Sequence, residues 1–566
     1  MVIPSILPPF VMPKTPTSES PAWWKEAAFY QIYPRSFADS NGDGIGDIKG
    51  ITGKLDYIER LGVDALWISP IYQSPNDDNG YDISDYTAVG KEYGTLDDFL
   101  ELTYALRKRG LRLILDQVLN HTSDEHAWFQ ESRSSRDNPK RDWYHWVDPK
   151  GFDAEGRPLL PNNWKSVFDG PAWEWDEPTG QYYLHCFSPK QPDLNWKNPA
   201  VRQALYDVLK TWAALGTDGF RLDVINMVAK SEGYPDVPRL PGITAPLLNL
   251  DQCGVNQPPL HDYLREMNRE VFENTDLYSV GETWWVDSSN TLDFTAYDRR
   301  ELNGCFYFYF HGCRTGREHF DEFWKLYEVT RGQSWLTITL GNHDSRRILS
   351  KFGDPVNHPR ASATLLATWL LTLPATPFLF QGDELGLIDM TYDRIEDYSD
   401  IQTRNRYRTL IDEGRTPAEA LATVQADSRD NSRTPMPWDG SMPNAGFSTG
   451  MPWLPIPSMH RGLHAEAALS DSQSIFHHYV KLLALRKELK SLVYGNLIPL
   501  TKTGEVLAYR RGSWQEYPAV NVVLNWSGVP QPWPIPVPKK DPLLANYREI
   551  DQRTLRPWEA VIWRES

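Results

Sequence analysis

Leu111-Arg112-Leu113-Ile114-Leu115 runs directly into Asp116-Gln117-Val118-Leu119-Asn120-His121, an apolar strand whose end is crowded with strongly polar groups. The same arrangement returns in Gly219-Phe220-Arg221-Leu222-Asp223, in Val280-Gly281-Glu282-Thr283 and in Gly341-Asn342-His343-Asp344, and Asn79-Gly80-Tyr81-Asp82 adds a fifth such segment. Carboxylates set again and again just beyond strand ends are what the C-terminal rim of a (β/α)8 barrel looks like when it carries an active site. The pattern predicts an α/β enzyme.

Working outward, strand-like runs are read at 28–33, 65–68, 111–115, 219–222, 277–280, 305–310, 335–340 and 377–380. Helical spacing separates them: Leu55, Ile58 and Leu61 share a face, Asp97 to Arg109 stops at Gly110, and Ala200 to Leu215 stops at Gly216. Eight strands alternating with helices meet the demand of a barrel. The stretch Thr122 to Asn198, with seven of the 23 tryptophans, is too long for a loop and predicts a small domain over the barrel mouth. Pro-rich Ser231 to Pro259 and the long Gly382 to Ser474 also leave strand ends. Alternation in Val506-Leu507-Ala508-Tyr509 and in 519–524 predicts a C-terminal β-sandwich. The expected units are a barrel over 1–121 and 199–487, an inserted domain over 122–198 and a C-terminal domain over 488–566.

The 566 residues suffice for two or three such units. A formal charge of −17 argues against nucleic acid and anionic lipid and favours a neutral or cationic small substrate. Cys186, Cys253, Cys305 and Cys313 form no CxxC pair and are read as buried free thiols. The segment Met1 to Pro21 is broken by prolines and has no basic start, unlike a secretory signal, and no run reaches the ~20 apolar residues of a membrane span. A reduced, cytoplasmic, soluble monomer is expected. The 23 Trp and 27 Tyr offer flat faces that suit the apolar side of sugar rings. In Asp39-Ser40-Asn41-Gly42-Asp43-Gly44-Ile45-Gly46-Asp47, oxygen-bearing residues alternate with glycine as in an EF-hand loop, a pattern suited to Ca2+.

Taken together, and in this order along nearly the whole chain, these motifs resemble glycoside hydrolase family 13, the α-amylase family, and within it the oligo-1,6-glucosidase and α-glucosidase type. The resemblance implies that Asp223 is the nucleophile, Glu282 the general acid and then base, and Asp344 a carboxylate on the ring hydroxyls of the distorted sugar. The chemistry agrees, since cleaving a glycosidic bond with retention takes one carboxylate at C1 and one protonated carboxyl at the departing oxygen. Arg221, two residues before Asp223 on the same strand face, is expected to keep Asp223 ionised, while Trp284 and Trp285 are expected to desolvate Glu282 and raise its pKa.

By the same resemblance His121 and His343 hydrogen-bond the first glucose, and Asp82 meets an arginine, either Arg429 or Arg433 with Arg429 favoured, to close the pocket base. Phe168, Phe187 and Gln191, the last in Gln191-Pro192-Asp193-Leu194-Asn195, line the entrance. A structural Ca2+ is implied at Asp39, Asn41, Asp43, Ile45 and Asp47. Val224 matches members that prefer α-1,6 bonds. The stretch 312–319 lacks the Arg-Leu-Asp-Arg motif of sucrose-isomerising relatives, and Gln402 stands where an acidic residue is frequent. The resemblance also extends to non-catalytic transporter heavy chains, but those carry a membrane helix, and the inactive ones lack the full carboxylate set. Asn525-Trp526-Ser527 is a glycosylation sequon that an intracellular chain would not use.

Overall fold

The computed structural model describes residues 20–239, 242–243, 245–538 and 541–565; the N-terminal reading of 1–19 lies outside the described residues. Eight parallel strands form the central sheet: β1 (Phe29–Ile32), β2 (Ala65–Ile68), β3 (Arg112–Val118), β4 (Gly219–Asp223), β5 (Tyr278–Thr283), β6 (Gly304–Tyr307), β7 (Thr337–Thr339) and β8 (Thr376–Phe380). Each falls on a run predicted to be a strand. Ladders join them in the order β6-β5-β4-β3-β2-β1-β8-β7, and the Thr337 hydroxyl donates to the Cys305 carbonyl across the remaining seam. The strands are buried along their length, as in a parallel barrel covered by helices.

The barrel interior is filled in layers. Its lower part is aromatic: Phe29 stacks on Phe378 at 4.4 Å and on Tyr278 at 5.5 Å, and Trp67 lies on Phe306 at 5.4 Å. Trp67 is the boundary, because its indole N–H donates to Asp116 (3.1 Å) and its ring lies 5.3 Å below the Arg221 guanidinium. Above that plane the filling is charged. The register places Arg221 opposite Asp116, so both side chains point into the barrel one layer below the C-terminal rim.

Helices cover the outside. Thr95 and Asp98 form a capping box at the start of Leu96–Lys108, and Asn198 with Pro199 opens Pro199–Ala214. Within 122–198, Trp146–Val147, Gln181–Leu184 and Trp173–Asp176 make a three-stranded antiparallel sheet. The Pro-rich segment docks on it: Leu248–Asn249 pairs with Trp164–Lys165, and the Trp164 indole donates to the Pro235 carbonyl (2.8 Å). After Ile475–Glu488 comes a five-stranded antiparallel sheet with a smaller two-stranded one beside it. All four cysteines are free and buried, and among the described residues no helix is long and apolar enough to cross a membrane.

The C-terminal sheet is tied to the barrel by a cation without a carboxylate. Arg511, fully buried, donates to the carbonyls of Thr372, Leu492 (2.6 Å), Val493 (3.2 Å) and Gly495 (2.6 Å). Thr372 ends one helix, and Leu492 and Val493 belong to the short helix 491–494, so the guanidinium meets negative dipole ends. Arg511→Met strands these acceptors and should cost about 3 kcal/mol. A clear fall in Tm by scanning calorimetry is expected, whereas Arg510→Met, which removes only the exposed pair with Glu565, should leave Tm nearly unchanged.

Candidate active site

β4 carries Arg221 and Asp223 on one face because alternate residues of a strand point the same way. Arg221 Nη1 donates to Asp116 (2.8 Å) and Asp223 (2.6 Å), and Nη2 to Glu282 (2.7 Å) at the end of β5. The chain then turns at Val224, whose φ of 35° is left-handed and costly for a β-branched residue. The turn aims the Val224 N–H at Glu282 Oε2 (3.0 Å). That oxygen thus accepts from two donors.

Arg221 is shared among three carboxyls and is not the private counter-ion of Asp223 that the sequence suggested. Burial pushes Asp223 well above the carboxylate range, Arg221 opposes it, and the neighbouring Glu282 and Asp116 push it further up. Burial likewise raises Asp116, against Arg221 and His343. Of the two tryptophans expected to cover Glu282, Trp285 is 52% exposed. Trp284 instead joins Phe168, Phe187 and Val224 in one apolar cluster beside the carboxyls.

Asp344 follows β7 and behaves oppositely. Burial works against its ionisation, yet His343, Arg433 and Arg429 together hold it well below the usual range. Arg433 Nη2 donates to Asp344 (2.6 Å) and its Nε to the His343 carbonyl (2.8 Å). The His343 ring is locked between Gln31 (2.7 Å), the Tyr81 hydroxyl (2.6 Å) and Asp344 (3.0 Å), and it stacks on Tyr81 at 5.3 Å. Tyr81 also donates to Asp116 (2.9 Å), which connects the two carboxylate groups.

Neither arginine meets Asp82. Arg429 Nη2 pairs with Asp78 (2.8 Å) and Asp400 (2.5 Å), and its Nη1 reaches Asp344 at 3.4 Å. Asp82 instead accepts the backbone N–H groups of Asp77 (2.8 Å) and Asp78 (3.0 Å), so it closes the turn that presents Asp78. The turn requires left-handed backbone at Asn79 (φ 49°) and Gly80 (φ 103°), which reverses the side chains before and after it. Burial opposes the ionisation of Asp400, but Arg429 and Arg433 win and hold it below its usual range. Asp400 also N-caps the helix Ile401–Asp412, fixing the segment that bears Gln402. Asp78 and Asp400 are the site residues the sequence reading missed; the paired acids of Asp77-Asp78 before Asn-Gly were the available signal.

The inserted domain supplies the opposite wall. Gln191 Nε2 donates to Asp78 (3.2 Å) and approaches His121 Nε2 (3.3 Å). Burial pushes His121 down to about 4, so it is neutral at neutral pH. Phe187 lies 5.2 Å from His121 and 5.4 Å from Phe168, whose ring sits 4.9 Å from the Arg429 guanidinium. Away from the rim, Asp39 accepts N–H groups of Asn41 (2.9 Å), Gly42 (2.7 Å) and Gly44 (2.8 Å), Asn41 accepts Asp43 (2.9 Å), and Asp43 accepts Ile45 (2.9 Å). Asp47 turns back to Ser40 (2.9 Å) and caps Ile48–Thr52. Among the described residues no three Asp, Glu, His or Cys side chains gather as a metal cluster, so a cation there would depend on Asn41 and main-chain oxygen as well.

Residues 31–495 match the alpha amylase catalytic domain. The chain is 44% identical to the oligo-1,6-glucosidase of Parageobacillus thermoglucosidasius, over 96% of this chain and 99% of that protein. It is 41% identical to the alpha-glucosidase of Pediococcus pentosaceus, over 96% and 99%. The crystal structure of isomaltulose synthase from Erwinia rhapontici NX5 superposes with a TM-score of 0.90 at 39% identity, covering 96% of this chain and 99% of that one.

The two turn carboxylates separate in solution. Burial pushes Asp82 up to about 7, while its unfolded counterpart titrates near ~3.9. The folded state therefore retains a proton that the unfolded state loses, and stability contributed below pH ~4 declines as pH rises towards 7. Asp82→Asn removes the titrating group while keeping a carbonyl for one of the two N–H groups, and should flatten that decline in denaturation measured across pH. Asp78→Asn, which weakens the Arg429 pair, should lower kcat/KM by more than tenfold.

Proposed function

Because the chain belongs to the α-amylase family, we propose that it is a retaining exo-α-glucosidase that releases the terminal glucose of short oligosaccharides, with α-1,6 bonds preferred. The observation that carries this reading is the pairing of Arg429 with Asp78 and Asp400, a polar dead end beside Asp344, with the Arg221-linked pair Asp223 and Glu282 next to it. Such a blocked end admits one non-reducing glucose and leaves the remainder of the chain to the entrance.

In the first step Asp223 attacks C1 while Glu282 gives its proton to the departing oxygen, forming a glucosyl ester and a free sugar alcohol. In the second, Glu282 takes a proton from water, whose oxygen displaces Asp223 and releases glucose with its α configuration. Arg221 bridges Asp223 and Glu282, and the one proton transferred in the first step is carried by Glu282. The two donors on Glu282 Oε2 leave Oε1 to hold it. Asp344, oriented by Arg433 and His343, accepts from ring hydroxyls, and Phe168 and Phe187 flank the entrance.

Val224 supports the α-1,6 preference, since its branched side chain beside Asp223 narrows the space for the second sugar. An α-1,6 linkage has an extra rotatable bond and bypasses that bulk. Relatives named oligo-1,6-glucosidase agree, and the stretch 312–319 lacks the motif of sucrose isomerisers. Product chromatography on isomaltose, maltose and sucrose tests the reading: isomaltose should exceed maltose about tenfold in kcat/KM, or about 1.4 kcal/mol of transition-state binding. Val224→Ala or Val224→Thr should narrow the gap by improving maltose. A wild type that prefers maltose is an α-1,4-glucosidase instead.

We propose further that Asp39, Asn41, Asp43, Asp47 and the main chain at Ile45 hold a structural Ca2+. The support is hard oxygen donors at alternate positions, ordered by successive side-chain-to-backbone turns. Added Ca2+ should raise Tm, since the ion binds the folded state. Asp43→Ala should abolish the shift, and insensitivity of the wild type to both Ca2+ and EDTA means the loop is a metal-free turn.

A further inference from the structure

Lys230 lies on the chain leaving β4, beyond Val224 and the turn Ile225–Met227, and its side chain is only 1% exposed. Its ammonium pairs with Asp193 Oδ1 (2.9 Å), whose side chain is fully buried, and donates to Asn120 Oδ1 (3.0 Å) and the Met227 carbonyl. Asp193 also accepts Asn120 Nδ2 (2.8 Å) and the Cys186 N–H (2.6 Å). Its backbone pairs with His121 in an isolated bridge, and Leu194 N–H donates to the Asn120 carbonyl (2.8 Å). Three separate chain segments meet at this one ammonium: the β4 exit bearing Asp223, the β3 end bearing His121, and the inserted domain bearing Gln191.

We propose that Lys230 is a positioning residue of the active site, a buried cationic pin that holds His121 and the Gln191 wall in register with the strand carrying Asp223. The surrounding groups cannot substitute for it. His121, His145 and His185 are pushed by burial to about 4, about 3 and about 4 and so are neutral, and burial raises the Cys186 thiol well above its normal range. Lys197 faces His145, but it ion-pairs with the exposed Glu232. Burial opposes ionisation of both pin partners, yet each holds the other charged: Asp193 stays below its usual range and Lys230 above. Removing one leaves the other as an uncompensated buried charge, while removing both does not.

The test compares wild type, Lys230→Met, Asp193→Asn and the double variant by kcat, KM, pH profile, and hydrogen–deuterium exchange of residues 181–195. Each single variant should lose at least tenfold in kcat/KM at pH 7, mostly in kcat, and the double variant should recover most of that loss. The pH profiles should move in opposite directions. In Lys230→Met the unpaired carboxyl is tolerated only when protonated, so activity falls as pH rises through its raised pKa. In Asp193→Asn the unpaired amine is tolerated only when neutral, so activity grows as pH rises. Superimposable profiles, or a double variant no better than the singles, overturn the pin even if Tm falls. The inference rests on the glucosidase reading for its assay, and the two fail separately. A wild type inert on isomaltose, maltose and aryl α-glucosides sinks that reading, and the exchange data then decide the pin: faster exchange in the singles with recovery in the double supports it, and unchanged exchange overturns it.

Discussion

Everything at the barrel mouth depends on how Arg221 divides its hydrogen bonds. Three buried carboxyls, Asp116, Asp223 and Glu282, converge on its two terminal nitrogens. A single positive charge cannot neutralise three negative ones in a site that water barely enters, so protons must be retained among them. That shortage couples Asp223 to Glu282. Arg221 thus holds at one time the two carboxyls that a double displacement at C1 would use. The floor of Trp67, Phe306 and Phe378 keeps the arginine from sinking away from the rim, and the Trp67 N–H orients Asp116 beneath it.

Charge is graded across the mouth. Asp116, Asp223 and Asp78 are raised by burial, whereas Asp344 and Asp400 are held low by Arg429 and Arg433. The raised carboxyls thus gather at Arg221, with Asp78 a third beside Arg429, and the carboxyls held low are Asp344 and Asp400. The hydroxyls of a bound sugar meet permanent acceptors, while the reacting bond meets groups able to change protonation state. Tyr81 joins the halves by touching Asp116 and His343 with one hydroxyl.

The eight strands were legible because each is an apolar run that the barrel buries on both faces, and the polar groups closing the runs marked the rim. Asp223, Glu282, Asp344, His121 and His343 come together for the same reason: strand periodicity fixes where their side chains point. Asp78 was not legible. It stands four residues before Asp82, and only the left-handed backbone at Asn79 and Gly80 decides which of the two faces Arg429. The protonation balance was hidden too, since Arg221 beside Asp223 in sequence reads as a private counter-ion, and its sharing with Asp116 and Glu282 exists only across neighbouring strands. Lys230 reads as an ordinary polar residue in a loop until the inserted domain brings Asp193 to it.

Six carboxyls, Asp78, Asp116, Asp223, Glu282, Asp344 and Asp400, face three guanidiniums, those of Arg221, Arg429 and Arg433. The excess of acid destabilises the empty site, and the strained turn at Val224 adds to that cost. A glycosyl transition state carries positive charge at C1 and the ring oxygen, so it is the species that relieves the excess. A neutral ground-state sugar gains little from the same field. The carboxylates that stay ionised therefore favour the transition state over the substrate, and because the aromatic floor and the two arginine systems fix them in place before the sugar arrives, little reorganisation is left for the moment of reaction.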